Sequence, residues 1–344
     1  MRLALIAPPT QAVLPAALGG LDQVRWLAEG LAGAGQQITL IGAGLGGLPA
    51  GRCTVVDTDP TAGRRAEPGL VNRRHAHEAG KALEGLDVQA VSHHTRGGYR
   101  PASARGLPAA QTVYAPVASL WLPEGAALPA QVRLVAVSLH QQRQAAGLPW
   151  CDVIAPAIPV VEHPLSTDHA GPCVYLGPLL PGHGARLALD AAYAAGRPVT
   201  LAGTVPGRDA ERELGPRLGR RGRLLPTVGL RQRWALLDQA CCLVAPLLDD
   251  EPASLEIVEA LAVGTPVVGL SEAVAAELVR HGESGLLVRD HRDLAVAVGE
   301  VLRSALEARV VRQQAARFDV GVMVGGYAAL FARLLARRLA GRGC

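Results

Sequence analysis

The feature that most constrains this chain is a rhythm. Short apolar runs alternate with helix-length amphipathic stretches from residue 3 to about residue 340, and the pattern restarts once near the middle. An apolar run of four or five residues bounded by glycine and polar residues reads as a strand buried on both faces. Successive strands joined by helix-length connections pair in parallel, because the chain must cross over before it can run the same way again. The expected fold is therefore α/β, with two Rossmann-like domains built on parallel sheets.

In the first half, strands are predicted at residues 3–6, 38–41, 55–56, 88–91, 134–137 and 153–155. Helices are expected at 22–34, with Val24, Leu27 and Leu31 on one face, and at 71–83. The stretch 160–172 has turn chemistry (Pro164, Ser166, Thr167, Gly171, Pro172) and no periodicity. In the second half, strands are expected at 174–177, 199–202, 241–245, 266–269 and 286–288. Helices are expected at 184–195, 208–218, 231–239, 256–263, 294–308 and 323–340. The predicted division is a first domain over 1–160, a linker over 161–172, a second domain over 173–320, and a terminal helical segment over 321–344 that packs back toward the first domain. Ligands of such sheets sit at the carboxyl ends of the strands, so two facing domains would place the site in a cleft between them.

Length and composition agree with this and remove other classes. The chain has 344 residues, enough for two domains of ~150. It is 49% hydrophobic and 19% charged, so a core is affordable and disorder is excluded for most of it. Aromatic residues make up 3%, too few for the stacking platforms of single-stranded nucleic-acid binders. The net charge of +4 suits an anionic small ligand rather than a polyanion. Lys81 is the single lysine, so the positive charge is almost all arginine. The six cysteines (Cys53, Cys151, Cys173, Cys241, Cys242, Cys344) form no C-x-x-C pair. They read as small hydrophobes in a reducing compartment, with no metal site. Pro8-Pro9 and Gln11 break the apolar start, so residues 3–6 read as a strand rather than a signal segment. No apolar stretch approaches the ~20 residues of a membrane span, and a cytoplasmic location is expected.

The chemistry concentrates in the segment from Asp249 to Val268, DDEPASLEIVEALAVGTPVV. It reads as a strand end, an acidic loop, a helix start, and then Gly-Thr-Pro into another strand. Ser254 is a good N-cap, leaving backbone N–H groups at a positive helix end for an anion. Glu251 falls in the loop. Glu259 lies about one turn into the helix, read as facing away from a solvated Glu256. Two carboxylates flanking an anion site suit a ligand bearing both hydroxyls and phosphates. The plainer alternative is a pair of acids on a solvated helix turn.

This segment resembles the E-x7-E donor motif of glycosyltransferase family 4, with Glu251 and Glu259 on its two glutamates and Pro252, Ala260, Gly264, Thr265, Pro266, Val267 and Val268 also matching. Glu277-Leu278-Val279 and the run Gly282 to Val288 continue that family's pattern, and Arg317 to Tyr327 resembles its closing helix. Ala7-Pro8-Pro9 and Gly19-Gly20-Leu21 resemble its first strand and glycine loop. The resemblance implies a GT-B fold and retaining sugar transfer from a nucleotide-diphosphate donor to a hydroxyl acceptor, without metal or other cofactor. Glu251 would contact donor sugar hydroxyls and Glu259 the ribose. The Ser254-Leu255 backbone would hold the diphosphate, with Gly19 and Gly20 admitting close backbone approach. Ser92-His93-His94-Thr95 resembles the H-D-H-[ST] stretch, which would give His94 an acceptor-side or catalytic role facing the cleft. The alternative is a satisfied or surface histidine. His75 and His77 read as solvated.

The departures are specific. Where the family carries L-G-R-x-x-x-x-K-G, this chain reads Leu176-Gly177-Pro178 to His183-Gly184, so Pro178 and His183 stand where arginine and lysine would hold the diphosphate. Arg186, Arg208 and Arg231 are candidate substitutes. Ala273-Val274 replaces a second Gly-Gly. A non-catalytic nucleotide-sugar-binding or partner homologue is therefore a rival expectation.

Three other motifs compete. Gly42 to Gly47 fits G-x-G-x-x-G and would suit a dinucleotide-dependent oxidoreductase, but a strand rather than a helix is expected next. Asp57-Thr58-Asp59 reads as a turn, not a metal-binding D-x-D. Arg217, Arg220, Arg221 and Arg223 read as a solvated face, not a nucleic-acid patch. The basic C-terminal stretch 331–339 reads as a helix docked on the core, with peripheral membrane contact as the alternative.

Overall fold

The computed structural model describes residues 1–8, 20–43, 53–58, 68–95, 105–119, 128–160, 163, 165, 169–180, 184–203, 209–226, 228–247, 251–272, 274–304 and 306–340. They form two compact units. One holds residues up to Pro156 together with the segment from Val320, and the other runs from Ala157 to Asp319. Each unit is a parallel sheet with helices, the two-domain α/β fold expected.

The first unit contains β1 (Arg2–Ile6), α1 (Gly20–Gly33), β2 (Gln37–Ala43), β3 (Cys53–Thr58), α2 (Pro68–Glu84), β4 (Ala90–His93), β5 (Ala109–Val113), β6 (Val132–Ala136), α3 (Leu139–Gln144) and β7 (Trp150–Val153). Its seven strands are ordered β3-β2-β1-β4-β5-β6-β7. The central strand β1 is solvent-free from Leu3 to Ile6, as a continuous apolar run in a covered parallel sheet should be. Ala79 and Leu83 of α2 close over Ile6, Ile41 and Val91. Strand β5 is absent from the sequence expectation, because its residues AAQTV carry little β-branched or aromatic signal.

The second unit contains β8 (Cys173–Leu176), α4 (Ala185–Ala194), β9 (Val199–Gly203), α5 (Asp209–Leu218), β10 (Gly222–Pro226), α6 (Leu230–Asp238), β11 (Cys242–Ala245), α7 (Leu255–Val263), β12 (Val267–Leu270), α8 (Ala275–Leu278), β13 (Gly285–Val288), α9 (Leu294–Ser304) and α10 (Ala308–Gln313). Its six strands are ordered β10-β9-β8-β11-β12-β13. The ends of β8 and β9 meet backbone on backbone: a Cβ at Gly203 would lie 1.7 Å from the Gly177 carbonyl oxygen. The unpredicted β10 has no continuous apolar run, with Arg223 and Pro226 exposed and its other three residues only partly buried.

Helix α11 (Val320–Ala340) follows and belongs to the first unit. Its stretch Val320–Leu339 has a mean hydropathy of 1.4 over 20 residues, which corrects the expectation that no stretch approaches a membrane span in length. Packing accounts for part of that apolarity, with a third of the stretch buried and Val322 and Leu339 exposed. Met323, Tyr327, Leu330, Phe331 and Leu334 form a buried ridge at helical spacing, and the Tyr327 and Thr112 hydroxyls lie 2.6 Å apart.

Candidate active site

Each sheet reverses its strand order once, at β1/β4 and at β8/β11. The space beyond the carboxyl ends of the strands at such a point is where open α/β sheets bind ligands. In the second unit, β8 delivers Gly177 and Pro178 there, and the segment after β11 delivers Glu251 and the start of α7.

Helix α7 is built by its own sequence signals. Ser254 caps it, its hydroxyl oxygen accepting the Ile257 N–H at 3.4 Å. Gly264 ends it with φ of +86°, the left-handed region open to glycine. The Gly264 N–H then reaches the Leu261 carbonyl and the Thr265 N–H the Ala260 carbonyl, at 3.1 and 2.9 Å. The Thr265 hydroxyl donates to the Leu237 carbonyl at 2.7 Å, tying the end of α7 to that of α6, and Pro266 forbids further helix. Gly-Thr-Pro is thus a helix stop and a clamp. All nine residues of α7 are buried.

That burial corrects the picture of Glu256 as a solvated acid. Glu256 is 6% exposed and Glu259 fully enclosed. Residues three apart on a helix stand only about 60° apart around its axis, so the two carboxylates share a side rather than opposing each other. The Ser254 hydroxyl donates to Glu256 Oε2 at 3.0 Å. Burial raises the Glu256 carboxyl above its ordinary value, with Arg233, its own backbone N–H and Ser254 pulling it back. A carboxyl of the protein's own therefore already sits at the helix N-terminus. Glu259 is ion-paired with Arg233 of α6. Glu251 is half-buried in the loop. Its charge, with that of Glu256 and after burial, pushes the Tyr175 hydroxyl well above its usual range, and Tyr175 donates to the Pro178 carbonyl at 3.1 Å.

Thus Glu251, Ser254, Leu255, Glu256 and Glu259 gather at one end of the second sheet, with Tyr175 of β8 joined to the acids by charge and Arg233 by the ion pair. His183, Gly19, Arg208 and Ala273 lie outside the described residues. Arg186 is exposed and pairs with Asp190 on its own helix, and Arg231 is exposed. The arginine that meets the acids is Arg233, which sequence reasoning passed over. Its signal was available: Arg233 lies on the same stripe as Leu237, and an arginine on a buried stripe requires a carboxylate.

In the first unit, Gly20 opens α1 and His94 follows β4. His94 does not face open space. It is 1% exposed, with Nε2 2.9 Å from the Ser92 hydroxyl, Nδ1 3.0 Å from the Tyr114 hydroxyl, and the Tyr327 ring 5.7 Å away. Burial lowers its pKa to about 3, so the ring is neutral in ordinary buffers. His75 is also a correction: it is 4% exposed and its Nε2 lies 2.8 Å from the Ala7 carbonyl. His77 is exposed, and so are Arg217, Arg220, Arg221 and Arg223. Asp57 and Thr58 close strand β3 rather than forming a turn, with Asp59 outside the described residues. Gly42 lies within β2 and strand β3 is the next described element, while Gly44, Gly46 and Gly47 of the G-x-G-x-x-G stretch lie outside the described residues.

Comparison with known proteins follows these lines. The family described as glycosyl transferases group 1 matches residues 173–304. An exopolysaccharide phosphotransferase of Streptomyces coelicolor is 32% identical over 120 residues, which are 33% of this chain and 12% of that much longer protein. Among solved structures, AviGT4, a glycosyltransferase involved in avilamycin A biosynthesis, superposes with a TM-score of 0.75 at 22% identity over 98% of both chains. A sucrose-phosphate synthase from Thermosynechococcus elongatus gives 0.76 at 17% identity, over 98% of this chain and 100% of that one. Anabaena HepE in complex with UDP gives 0.71 at 18% identity, over 97% and 100%. Residues 173–304 of the second unit thus match the glycosyl transferases group 1 family, in a chain with the two-domain α/β fold of the GT-B glycosyltransferases.

Proposed function

We propose that this protein transfers a sugar from a nucleotide-diphosphate-sugar donor to a hydroxyl acceptor with retention of configuration, in the manner of glycosyltransferase family 4. The observation that supports this reading is the run from Glu251, in the segment after β11, through the Ser254 N-cap to Glu259 on helix α7, with β8 and β11 meeting at the point where the sheet reverses its order. HepE, a structural neighbour, was solved with UDP and with UDP-glucose. In this reading Glu251 accepts hydrogen bonds from the donor sugar hydroxyls, and Glu259, aimed by Arg233, accepts from the ribose. The diphosphate lies at the start of α7, where the Leu255 N–H and the helix dipole favour negative charge. Glu256 must then turn aside or take up a proton, since two anions cannot share that turn. The test is calorimetry with a panel of nucleotide sugars. Binding by the native chain that disappears in Glu251→Ala and Glu259→Ala supports the proposal, and binding unchanged by both substitutions refutes it.

A second reading, a homologue that binds nucleotide sugars without turnover, is favoured by one pair of observations. Pro178 stands at the usual arginine position, and Glu256 occupies the helix N-terminus. Stabilisation of the leaving diphosphate by fixed cations is a large part of such catalysis, and each lost contact costs several kcal/mol. Donor binding with neither transfer nor slow hydrolysis would select this reading. Release of free sugar from the donor would reject it.

A further inference from the structure

Three thiols converge at the amino-terminal edge of the second sheet, the edge opposite the candidate active site. Cys173 and Cys242 are register partners on the parallel strands β8 and β11, and residues in register project to the same face. Successive strand residues would point to opposite faces. Cys241, however, lies in a bend just before β11, anchored by its N–H to the Pro172 carbonyl at 3.0 Å, and its sulfur turns toward the other two. The Cys173 sulfur is 3.6 Å from that of Cys241 and 3.8 Å from that of Cys242, and all three lie within 4.8 Å of one another. None of the three residues is more than 1% exposed. Among the described residues, no other group of three His, Cys, Asp or Glu side chains brings its donor atoms this close.

A cation bound in a plane by three sulfurs at about 2.3 Å holds those sulfurs about 4.0 Å apart. The triangle formed by Cys173, Cys241 and Cys242 already approaches that shape. The Arg197 guanidinium stands beside it, donating to the Ala170 and Gly171 carbonyls at 2.7 Å each.

We propose that Cys173, Cys241 and Cys242 form a trigonal, all-thiolate site for a soft monovalent cation of the Cu(I) class. Thiolates select such ions, whereas structural zinc takes four ligands. Binding forms three sulfur–metal bonds, and the three thiol protons leave to solvent. No electron is transferred. The site lies at the other end of strands β8 and β11 from Glu251, so it stands independently of the donor-site reading.

The experiment is an anaerobic competition in which the reduced full chain withdraws Cu(I) from a chromogenic chelator. One Cu(I) per chain is expected, kept by a Cys53→Ser, Cys151→Ser, Cys344→Ser variant. Cys173→Ala, Cys241→Ala or Cys242→Ala should weaken binding by about a hundredfold or more, with circular dichroism reporting the fold. X-ray absorption of the loaded native chain should find three sulfurs at about 2.3 Å, and this reading does not depend on any variant folding. Failure to withdraw Cu(I), loss of binding in the variant that spares the triad, or a coordination shell of two sulfurs would each overturn the proposal.

Discussion

Removing Arg233 should damage the second unit more than almost any other single change. The structure encloses the Glu259 side chain completely and leaves only 10% of the Arg233 side chain exposed, with the two groups in contact. At a separation of ~3 Å and an effective dielectric of ~20, the pair is worth about 5 kcal/mol of direct attraction, against which both ions lose their hydration. Arg233→Ala keeps the desolvation of Glu259 and removes its partner, so a loss of about 3–5 kcal/mol is expected. Replacing both members with uncharged groups of similar volume, Arg233→Met with Glu259→Gln, removes the charges and their desolvation together. That double variant should fall within about 1 kcal/mol of the native chain, about 2–4 kcal/mol more stable than Arg233→Ala. The readout is native-state hydrogen exchange at the amides of α6 and α7, which reports this unit separately from the other. A loss under 1 kcal/mol for Arg233→Ala, or a double variant as unstable as the single, would refute the reasoning. The same double variant, being folded, also tests whether Glu259 needs its charge to hold a ribose: nucleotide binding should drop while stability does not.

Acid should loosen the first unit through His94. Its folded pKa is lowered to about 3 against an ordinary 6.5, so its neutral form stabilises the fold fully above pH 6.5 and that contribution falls as the pH drops. At pH 5 the loss is about 2 kcal/mol, to be seen as a steeper fall in the first unit's stability from pH 7 to 5 in the native chain than in His94→Asn. Glu256→Gln should strengthen binding of a nucleoside diphosphate about five- to thirtyfold, the factor that about 1–2 kcal/mol of relieved repulsion represents; calorimetry showing weaker binding would refute the placement of an anion at that helix end. Gly264→Ala forces a side chain into a φ of +86° and to within 2.9 Å of the Ala308 and Leu165 side chains, so a loss above about 1 kcal/mol in urea unfolding is expected.

The sheets were legible because each central strand is a short, unbroken apolar run, a pattern few other structures produce. Strands β5 and β10 were not, since AAQTV and GRLLP owe their place to neighbours rather than to their own residues. The E-x7-E segment was legible for a similar local reason: Ser254 and Gly264 announce the two ends of the helix between them. What the sequence hid was burial. Glu256 and His94 are polar residues at positions that read as solvated or cleft-facing, and only tertiary packing closes over them. Arg233 was hidden by the opposite bias, since arginines on helices usually face water.

These hidden residues change what the departures at Pro178 and His183 mean. A chain lacking the usual arginine would be expected to leave its donor-site acids short of positive charge. Here Arg233 is committed to Glu259, and Glu256 places a further carboxyl at the helix end where the proposed reading puts the diphosphate. The set of Glu251, Glu256 and Glu259 against Arg233 holds more carboxyls than cations, although the chain as a whole carries +4. Such a site holds a diphosphate weakly unless a proton or a second positive group arrives with the ligand. A donor affinity that rises as the pH falls toward 5 would mark the proton as that partner, because burial already raises the Glu256 carboxyl. An affinity indifferent to pH in the native chain and in Glu256→Gln alike would show that the acid plays no part.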